Sequence, residues 1–146
     1  MLTLAIIKPD AVQASHVGTI LTHLEREGFT LRAARLVRLS TAQAEAFYAV
    51  HRERPFFRSL VAFMTSGAAL ALALERQNAV DHLREVIGAT DPAEAKAGTI
   101  RRLYAQSKER NAIHASDSAE TAAREVAFFF LESELTALAG APVKFA

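Results

Sequence analysis

The chain has 146 residues, 51% of them hydrophobic, so it can bury one ordinary core without disulfides or metals. Its 17 Lys and Arg nearly balance 16 Asp and Glu, and a net charge of +1 excludes the broad basic field that drives non-specific nucleic-acid binding. Absent cysteine excludes disulfides and thiolate zinc sites and fits a reducing compartment. We therefore expect one domain over residues 1–146, a cytoplasmic location and no specific nucleic-acid partner.

Apolar runs near the start and middle of the chain are too short to anchor it in a membrane. The first run is cut after Ile7 by the sequence KPD, and the run GAALALALE is far below the roughly 20 residues that span a bilayer. We expect no membrane association.

The first quarter of the chain predicts a strand, a helix and a second strand. Thr3–Ile7 indicates a buried strand that stops at Lys8, because proline cannot continue a central strand. Apolar residues spaced on one helical face predict a helix between positions 18 and 28, with Gly28 as its C-terminal cap. Residues 29–39 alternate, which predicts a strand wetted on one side, with one face formed by Phe29, Leu31, Ala33, Arg35 and Val37.

A capping box then marks the next helix. Ser40 and Gln43 have its spacing, and the helix TAQAEAFYAVHRE is expected to end at Pro55. Three further elements follow in order: a short apolar helix in FFRSLVAFMTSG, a strand in AALALALE, and a helix over residues 78–87.

The last third of the chain predicts a strand followed by a long helix. Asp91 and Pro92 indicate a cap and first position of a short helical turn, and AIH is short enough for a fourth strand. Asp117 and Glu120, as cap and third residue, predict a helix through AETAAREVAFFFLESEL. The apolar but irregular final segment, LTALAGAPVKFA, is expected to dock on a neighbouring subunit.

The order of these elements, without insertions, is βαββαβ. This order is typical of an α+β, ferredoxin-like fold, in which a four-stranded antiparallel sheet carries helices on one face.

Common nucleotide and hydrolase motifs are missing from the chain. It has no G-x-x-x-x-G-K-[ST] and no G-x-G-x-x-G, which excludes P-loop and Rossmann enzymes. It also lacks H-E-x-x-H and G-x-S-x-G, which argues against a protein-built metal site and a serine hydrolase.

His114 differs from the other histidines, at positions 16, 23, 51 and 82, in its predicted setting. It lies at a strand end directly before a capped helix, where the helix dipole also favours a phosphate. Lys8, Arg84 and Arg101, taken one at a time, are more typical of an exposed turn or a solvated helix face.

Six stretches decide between these interpretations. The chain resembles nucleoside diphosphate kinases from Thr3 to about Phe130. The resemblance rests on the order and separation of these stretches: TLAIIKPDAV, FYAVHRERPFF, FMTSG, IGATDP, GTIR and RNAIHASDS. The resemblance implies a ferredoxin-like fold and transfer of the γ-phosphate of a nucleoside triphosphate, usually ATP, to a nucleoside diphosphate. The transfer would run in two half-reactions through a phosphohistidine.

The resemblance also implies a role for individual residues. His114 matches the nucleophile, and imidazole is largely neutral at pH 7, so a ring nitrogen can attack phosphorus without first losing a proton. Glu125 matches a glutamate that orients this histidine, and Ser116 a small hydroxyl beside it. The other matched residues are phosphate contacts at Lys8, Arg84, Thr90 and Arg101, a sugar contact at Asn111, a supporting tyrosine at Tyr48, and a base-stacking aromatic at Phe56.

The implied cofactor is Mg²⁺, which would arrive with the nucleotide phosphates and need no protein cage. The implied assembly is a homotetramer or homohexamer.

Departures from the family pattern concern loops more than the matched site. Ala115 replaces a glycine, and its methyl is expected to narrow the approach to phosphate or to strain a backbone that favours φ > 0. The remaining changes, expected to affect subunit contacts and stability, are Ala68, Ala97, Arg76 and the pair Arg102-Leu103.

Two alternatives remain open at this point. One is a catalytically impaired, ferredoxin-like nucleotide-binding or regulatory module, for which Ala115 is the only suggestive feature. The other is a nucleic-acid-binding protein, which a ferredoxin-like sheet can form, although the RNP aromatic pattern and a basic stripe are missing.

Overall fold

The structure, a computed structural model, describes residues 1–137 and contains one four-stranded antiparallel sheet. The strands are β1 (Leu2–Ile7), β2 (Thr30–Val37), β3 (Ala69–Glu75) and β4 (Ile113–Ala115). They lie in the order β2-β3-β1-β4, and each neighbouring pair is antiparallel. This arrangement confirms the predicted ferredoxin-like α+β fold.

Eight α-helices surround the sheet in the described part of the chain. They are α1 (Pro9–Gln13), α2 (Val17–Arg26), α3 (Thr41–Phe47), α4 (Phe57–Met64), α5 (Ala79–Ile87), α6 (Ile100–Tyr104), α7 (Ala119–Phe129) and α8 (Glu132–Ala137), with a 3₁₀ turn at Ala49–His51. None of the helices within residues 1–137 is long and apolar enough to cross a membrane.

Helices cover both faces of the sheet, so the expectation of helices on one face was wrong. Leu4 and Ile6 of β1 pack with α3, α4 and α7, whereas Ala5 and Ile7 pack with α1, α2, α5 and α6. All four side chains are fully buried. A near-continuous apolar run, as in β1, is the pattern of a strand covered on both faces.

Strand β2 departs from the predicted alternation at a β-bulge. Its pairing with β3 shifts between Leu31 and Ala33, and an inserted residue reverses the face that later side chains occupy. Phe29 therefore packs with α2 and α5, while Ala33 and Val37 pack against the opposite cluster. The prediction that these residues share one face was wrong.

The predicted helix ends at Gly28 and Ser40 are confirmed. Gly28 has φ +87°, and bonds from its N–H to Glu25 O and from Phe29 N–H to Leu24 O form a Schellman motif. Ser40 Oγ accepts from Gln43 N while Gln43 Oε1 accepts from Ser40 N, which completes the capping box.

Several helix boundaries differ from the prediction. The helix that starts after Ser40 ends at Phe47 rather than reaching Pro55, and Asp91 caps only a turn, through a bond from Ala93 N to Oδ1. The short helices α1 and α6 were not predicted. The fourth strand lies one residue later than AIH, at Ile113–Ala115.

The last long helix begins and ends differently from the prediction. Ser118, not Asp117, is its N-cap, because the Ser118 hydroxyl accepts from Thr121 N. It breaks after Phe129, since Phe130 takes an extended conformation and packs in the same cluster. Successive helical residues point in different directions, so burying both rings in one cluster favours leaving the helix. The segment expected to dock on a neighbour lies, from position 138, outside the described residues.

Because helices cover both faces of the sheet, truncating a buried side chain on either face should lower the free energy of unfolding by a similar amount. Leu4→Ala and Leu72→Ala remove fully buried side chains from opposite faces, and each should lower the free energy of unfolding by about 2–5 kcal/mol. Leu131→Ala, at a residue 66% exposed, is the matched control and should change it by less than about 0.5 kcal/mol. Urea denaturation measures all three. A small effect at either buried leucine would contradict two-sided coverage.

Candidate active site

A cleft of about 640 Å³ lies where β1 ends and β4 begins. It collects residues that are far apart in sequence, and all but one of the predicted site residues line it. These are Lys8, Tyr48, Phe56, Arg84, Thr90, Arg101, Asn111, His114 and Glu125. The remaining one, Ser116, is fully buried beneath the cleft and bonded to Glu125.

The His114 ring is held from one side by a carboxylate. His114 lies in β4 opposite Ile6 of β1. Its Nε2 is 2.8 Å from Oε1 of Glu125, a residue of helix α7. Ser116 Oγ donates to the same oxygen at 2.8 Å. An ionised carboxylate can only accept, so Nε2 carries the proton and the lone pair of the neutral ring is on Nδ1. Nδ1 makes no hydrogen bond to any described residue.

Aromatic rings form the wall around this histidine. The centroid of the Phe47 ring lies 5.4 Å from that of His114, and the centroid of the Tyr48 ring lies 6.1 Å from it, both edge-on. The buried Tyr48 hydroxyl has no hydrogen-bond partner within residues 1–137. Burial, with the Glu125 carboxylate as a second cause, raises the pKa of Tyr48 well above its usual range. Tyr48 is therefore a neutral hydroxyl beside the histidine, free to donate to a ligand.

Lys8 extends into the cleft from the end of β1. Its Nζ donates to Asn111 Oδ1 at 2.8 Å, and Asn111 Nδ2 donates to Thr90 O at 3.2 Å. Burial and then repulsion from Arg101 lower the pKa of the Lys8 ammonium to about 8, although the carboxylates of Asp10 and Glu109 act in the opposite direction. The ammonium is largely charged at pH 7 and incompletely solvated, which favours an anionic ligand.

Two arginines complete the positive wall. Arg101 donates from Nη1 to Gly88 O at 3.1 Å and from Nη2 to Ile113 O at 2.8 Å. Burial, followed by repulsion from Arg84, lowers the pKa of the Arg101 guanidinium to about 10. Arg84 reaches Ala115 O at 3.5 Å. A multiply charged anion such as a polyphosphate stabilises neighbouring cations that otherwise repel each other.

Gly88 makes this arginine anchor possible. It caps α5 with φ +87°, a conformation that L side chains rarely adopt. A Cβ at this position would lie 2.6 Å from Thr99 Oγ1. Any larger residue would displace either Thr99 or the carbonyl that receives Arg101.

The other side of the cleft is aromatic and apolar. The Phe56 ring is 45% exposed and lies 5.5 Å from the His51 ring, between centroids. Val50 and Leu60 line the same cleft. The cleft thus joins a surface suited to a flat ring with a surface suited to phosphate.

The backbone strain expected at Ala115 is absent, and a different alanine carries it. Ala115 lies in β4, paired with Ala5, and is not among the described residues with positive φ. Ala112, three positions earlier, has φ +73°. The expectation of strain at Ala115 was therefore wrong. Its methyl does line the cleft, so the narrowing of the approach stays a prediction.

Some cleft residues were missed by the sequence patterns. They are Phe47, Val50, His51, Leu60, Lys108, Glu109, Asp117, Thr121 and Arg124. Asp117 carried a signal, since its position before a helix was interpreted as a cap, whereas the structure places it on the cleft wall. His51 lies in the turn before Pro55, and nothing in the local pattern distinguishes it from a solvated histidine.

Two residues that depart from the family pattern, Arg76 and Arg102, make contacts within the chain. Arg76 Nε donates to Glu27 O at 2.8 Å and its guanidinium lies 5.8 Å from the Phe29 ring centroid, so it fixes the end of α2. Arg102 Nη1 reaches Pro92 O and Ala93 O at 3.4 and 3.3 Å.

Comparison with known proteins adds an independent finding. A family model described as nucleoside diphosphate kinase matches residues 2–135. The nucleoside diphosphate kinase of Halorhodospira halophila is 56% identical over 133 residues, covering 91% of this chain and 94% of that protein. That of Chlorobium chlorochromatii is 54% identical over 133 residues, covering 91% and 95%.

Two solved structures with a similar fold are also nucleoside diphosphate kinases. The nucleoside diphosphate kinase of Aquifex aeolicus has a TM-score of 0.90 at 44% identity, covering 92% of this chain and 97% of that one. A nucleoside diphosphate kinase from Halobacterium salinarum in complex with CDP has a TM-score of 0.89 at 38% identity, covering 92% and 90%.

The setting of Lys8 predicts an unusual titration. In protein labelled with ¹³C at lysine Cε, the Lys8 resonance should shift with a midpoint at about pH 8, because burial and Arg101 oppose its charge. Lys8→Met identifies the resonance by its loss. Solvated lysines titrate near about 10.4, and such a midpoint at Lys8 would contradict the description of the cleft.

Proposed function

The chain belongs to the nucleoside diphosphate kinase family, and we propose that His114 carries the phosphoryl group between the two half-reactions of its activity. The protein is a phosphotransferase that moves the γ-phosphate of a nucleoside triphosphate to a nucleoside diphosphate. The bond from His114 Nε2 to Glu125 is the observation that carries the proposal, because it orients a ring whose other nitrogen has its lone pair available.

Substrate binding uses the two sides of the cleft. The phosphates lie against Lys8, Arg84 and Arg101, with Thr90 contributing a further contact, and the cations offset the charge on the transferred group. Asn111 contacts the sugar. Phe56 stacks on the base, and since every base has a π-face, this contact tolerates all of them.

In the first half-reaction, Nδ1 of His114 attacks the γ-phosphorus. A P–N bond forms, the bond from phosphorus to the bridging β–γ oxygen breaks, and the nucleoside diphosphate leaves with that electron pair. The ring becomes a phosphoimidazolium whose positive charge is delocalised over both nitrogens, and Glu125, bonded at Nε2, stabilises that charge. In the second half-reaction a terminal oxygen of the acceptor diphosphate attacks phosphorus, the P–N bond breaks and its electrons return to Nδ1.

Tyr48 and Ser116 support this chemistry in different ways. The unpartnered Tyr48 hydroxyl is a neutral donor for the transferring group. Ser116 donates a hydrogen bond to Oε1 of Glu125, the oxygen that also contacts the histidine. This bond keeps the carboxylate in position while the charge of the ring changes.

Mg²⁺ is the proposed cofactor, and the residues present fit it. Asp117 offers a carboxylate at the cleft wall, and Mg²⁺ is commonly bound by one or two carboxylates together with substrate phosphates. When bound, the ion neutralises phosphate charge. The Lys8, Arg84 and Arg101 side chains then complete the neutralisation from the protein side.

Three broader expectations also stay proposals. The chain forms one domain of this family and assembles as a homotetramer or homohexamer, for which the exposed Leu31 and Leu36 on the edge strand β2 give support. A cytoplasmic location is supported by the absence of cysteine.

The alternative of a catalytically impaired module is not favoured. The curated relatives carry the kinase name. Ala115, the only feature that suggested an impaired module, lies in ordinary strand conformation.

Phosphoryl transfer through His114 predicts a specific labelling pattern. Incubation with γ-³²P-ATP and Mg²⁺ should label the intact protein at an acid-labile, alkali-stable site, and GDP should remove the label. His114→Ala should abolish it. The control is His51→Ala, which removes another histidine of the same cleft and should keep the label. An unchanged label in His114→Ala would refute the assignment.

Glu125→Gln tests the electrostatic part of the mechanism. The amide keeps an acceptor for Nε2 but loses the charge that stabilises the phosphoimidazolium, so the rate of phosphoenzyme formation should fall at least about tenfold. Rapid-quench kinetics measures it. Glu120→Gln, the same change on the exposed first turn of α7, is the matched control. Equal rates in both variants would contradict the role of the Glu125 charge.

A further inference from the structure

Asp10 is a buried carboxylate that the mechanism above does not use. It lies in the first turn of α1, two residues after Lys8, and its side chain is 5% exposed. Its Oδ2 accepts a bond from the backbone N–H of Ala112 at 3.0 Å, and its Oδ1 has no partner in the described part of the chain. A buried acceptor of this kind has a considerable desolvation cost, which asks for an explanation.

We propose that Asp10 is a positioning residue for phosphoryl transfer, because its bond to Ala112 N holds the strained turn that places Asn111 and His114 against Lys8. This role rests on the proposed function of the cleft. It concerns the geometry of the site, not a contact with substrate.

The turn at Ala112 needs a restraint. Its φ of +73° is uncommon for alanine, whose Cβ disfavours the left-handed region, and the residue is fully buried. Strain of this type persists only where the surroundings determine the conformation. Here both polar groups of Ala112 are bound by one short segment, since its N–H donates to Asp10 and its carbonyl accepts from Lys8 N at 2.8 Å.

These two hydrogen bonds fix the residues that come before and after Ala112 in the chain. Before it, Asn111 directs Oδ1 at Lys8 Nζ, at 2.8 Å. After it, the chain enters β4, and His114 pairs with Ile6. If Ala112 relaxed to negative φ, the Asn111 side chain and the start of β4 would rotate away from Lys8.

The Asp10 charge acts on Lys8 without consuming its donors. Among the described residues no ion pair joins the two side chains, because Lys8 donates to Asn111 instead. Burial and then Arg101 lower the pKa of Lys8, the Asp10 and Glu109 carboxylates raise it, and the net value is about 8. Lys8 thus stays protonated at neutral pH while its remaining N–H groups are available to phosphate.

Two substitutions separate the bond from the charge. Asp10→Asn keeps an acceptor for Ala112 N but removes the charge, so the pKa of Lys8 should fall. In the unaltered protein kcat/KM should decrease above about pH 8, and in Asp10→Asn this decrease should move to lower pH by about one unit. Asp10→Ala removes the bond as well, and kcat at neutral pH should fall at least about tenfold.

Rescue distinguishes positioning from a general loss of stability. Adding Ala112→Gly to Asp10→Ala should restore part of kcat, because glycine adopts positive φ without strain, but should not restore the pH profile. Glu109→Gln is the charge control, since it removes the other carboxylate near Lys8 without touching Ala112. It should shift the pH profile in the same direction.

Unchanged kcat in Asp10→Ala, or an unchanged pH profile in Asp10→Asn, would overturn the proposal. If the Asp10 variants do not fold, Ala112→Gly alone decides. Relief of strain should keep or raise the melting temperature, whereas a lower one would refute the restraint. If the unaltered protein takes no label from ATP, the proposed function fails, and this melting comparison still tests the backbone strain at Ala112.

Discussion

The antiparallel pairing of β1 with β4 is the constraint on which the cleft depends. The register places His114 opposite Ile6, so the end of β1, with Lys8, meets the start of β4, with Asn111. Because β1 also pairs with β3 and is buried on both faces, this edge of the site cannot shift without disturbing both halves of the core. His114 and Lys8 are therefore held by a strand pair in which β1 is buried on both faces, and preorganised electrostatic catalysis requires groups that are held in place.

Groups of opposite charge lie in the cleft beside the paired strands β1 and β4. The histidine is bound from below by Glu125, while Lys8 and Arg101 are partly stripped of solvent on the other side. Desolvated cations interact more strongly with phosphate than solvated ones, and their mutual repulsion is relieved only when an anion binds. The cleft thus offers side-chain cations to a polyphosphate rather than a glycine-rich loop.

The first strand and the helix ends at Gly28 and Ser40 could be predicted because their signals are local. Thr3–Ile7 is a short apolar run ended by proline, and Ser40 with Gln43 is a motif of four residues. The β-bulge in β2 and the break after Phe129 depend on packing with distant elements, which no local pattern encodes. The site residues came from the family resemblance, since spacing alone left Lys8 and the arginines undecided. Asp10 was missed because its partner lies 102 positions away.

In the proposed mechanism Glu125 holds Nε2 of His114 and leaves Nδ1 to react, so the decisive measurement is the position of the phosphoryl group on the ring. Phosphorylated protein labelled with ¹⁵N at histidine, studied by ³¹P–¹⁵N correlation NMR at alkaline pH, distinguishes the two isomers. We expect phosphorus bonded to Nδ1 of His114, with Nε2 still protonated towards Glu125. Phosphorus bonded to Nε2 would contradict it, because that nitrogen would first have to leave the carboxylate.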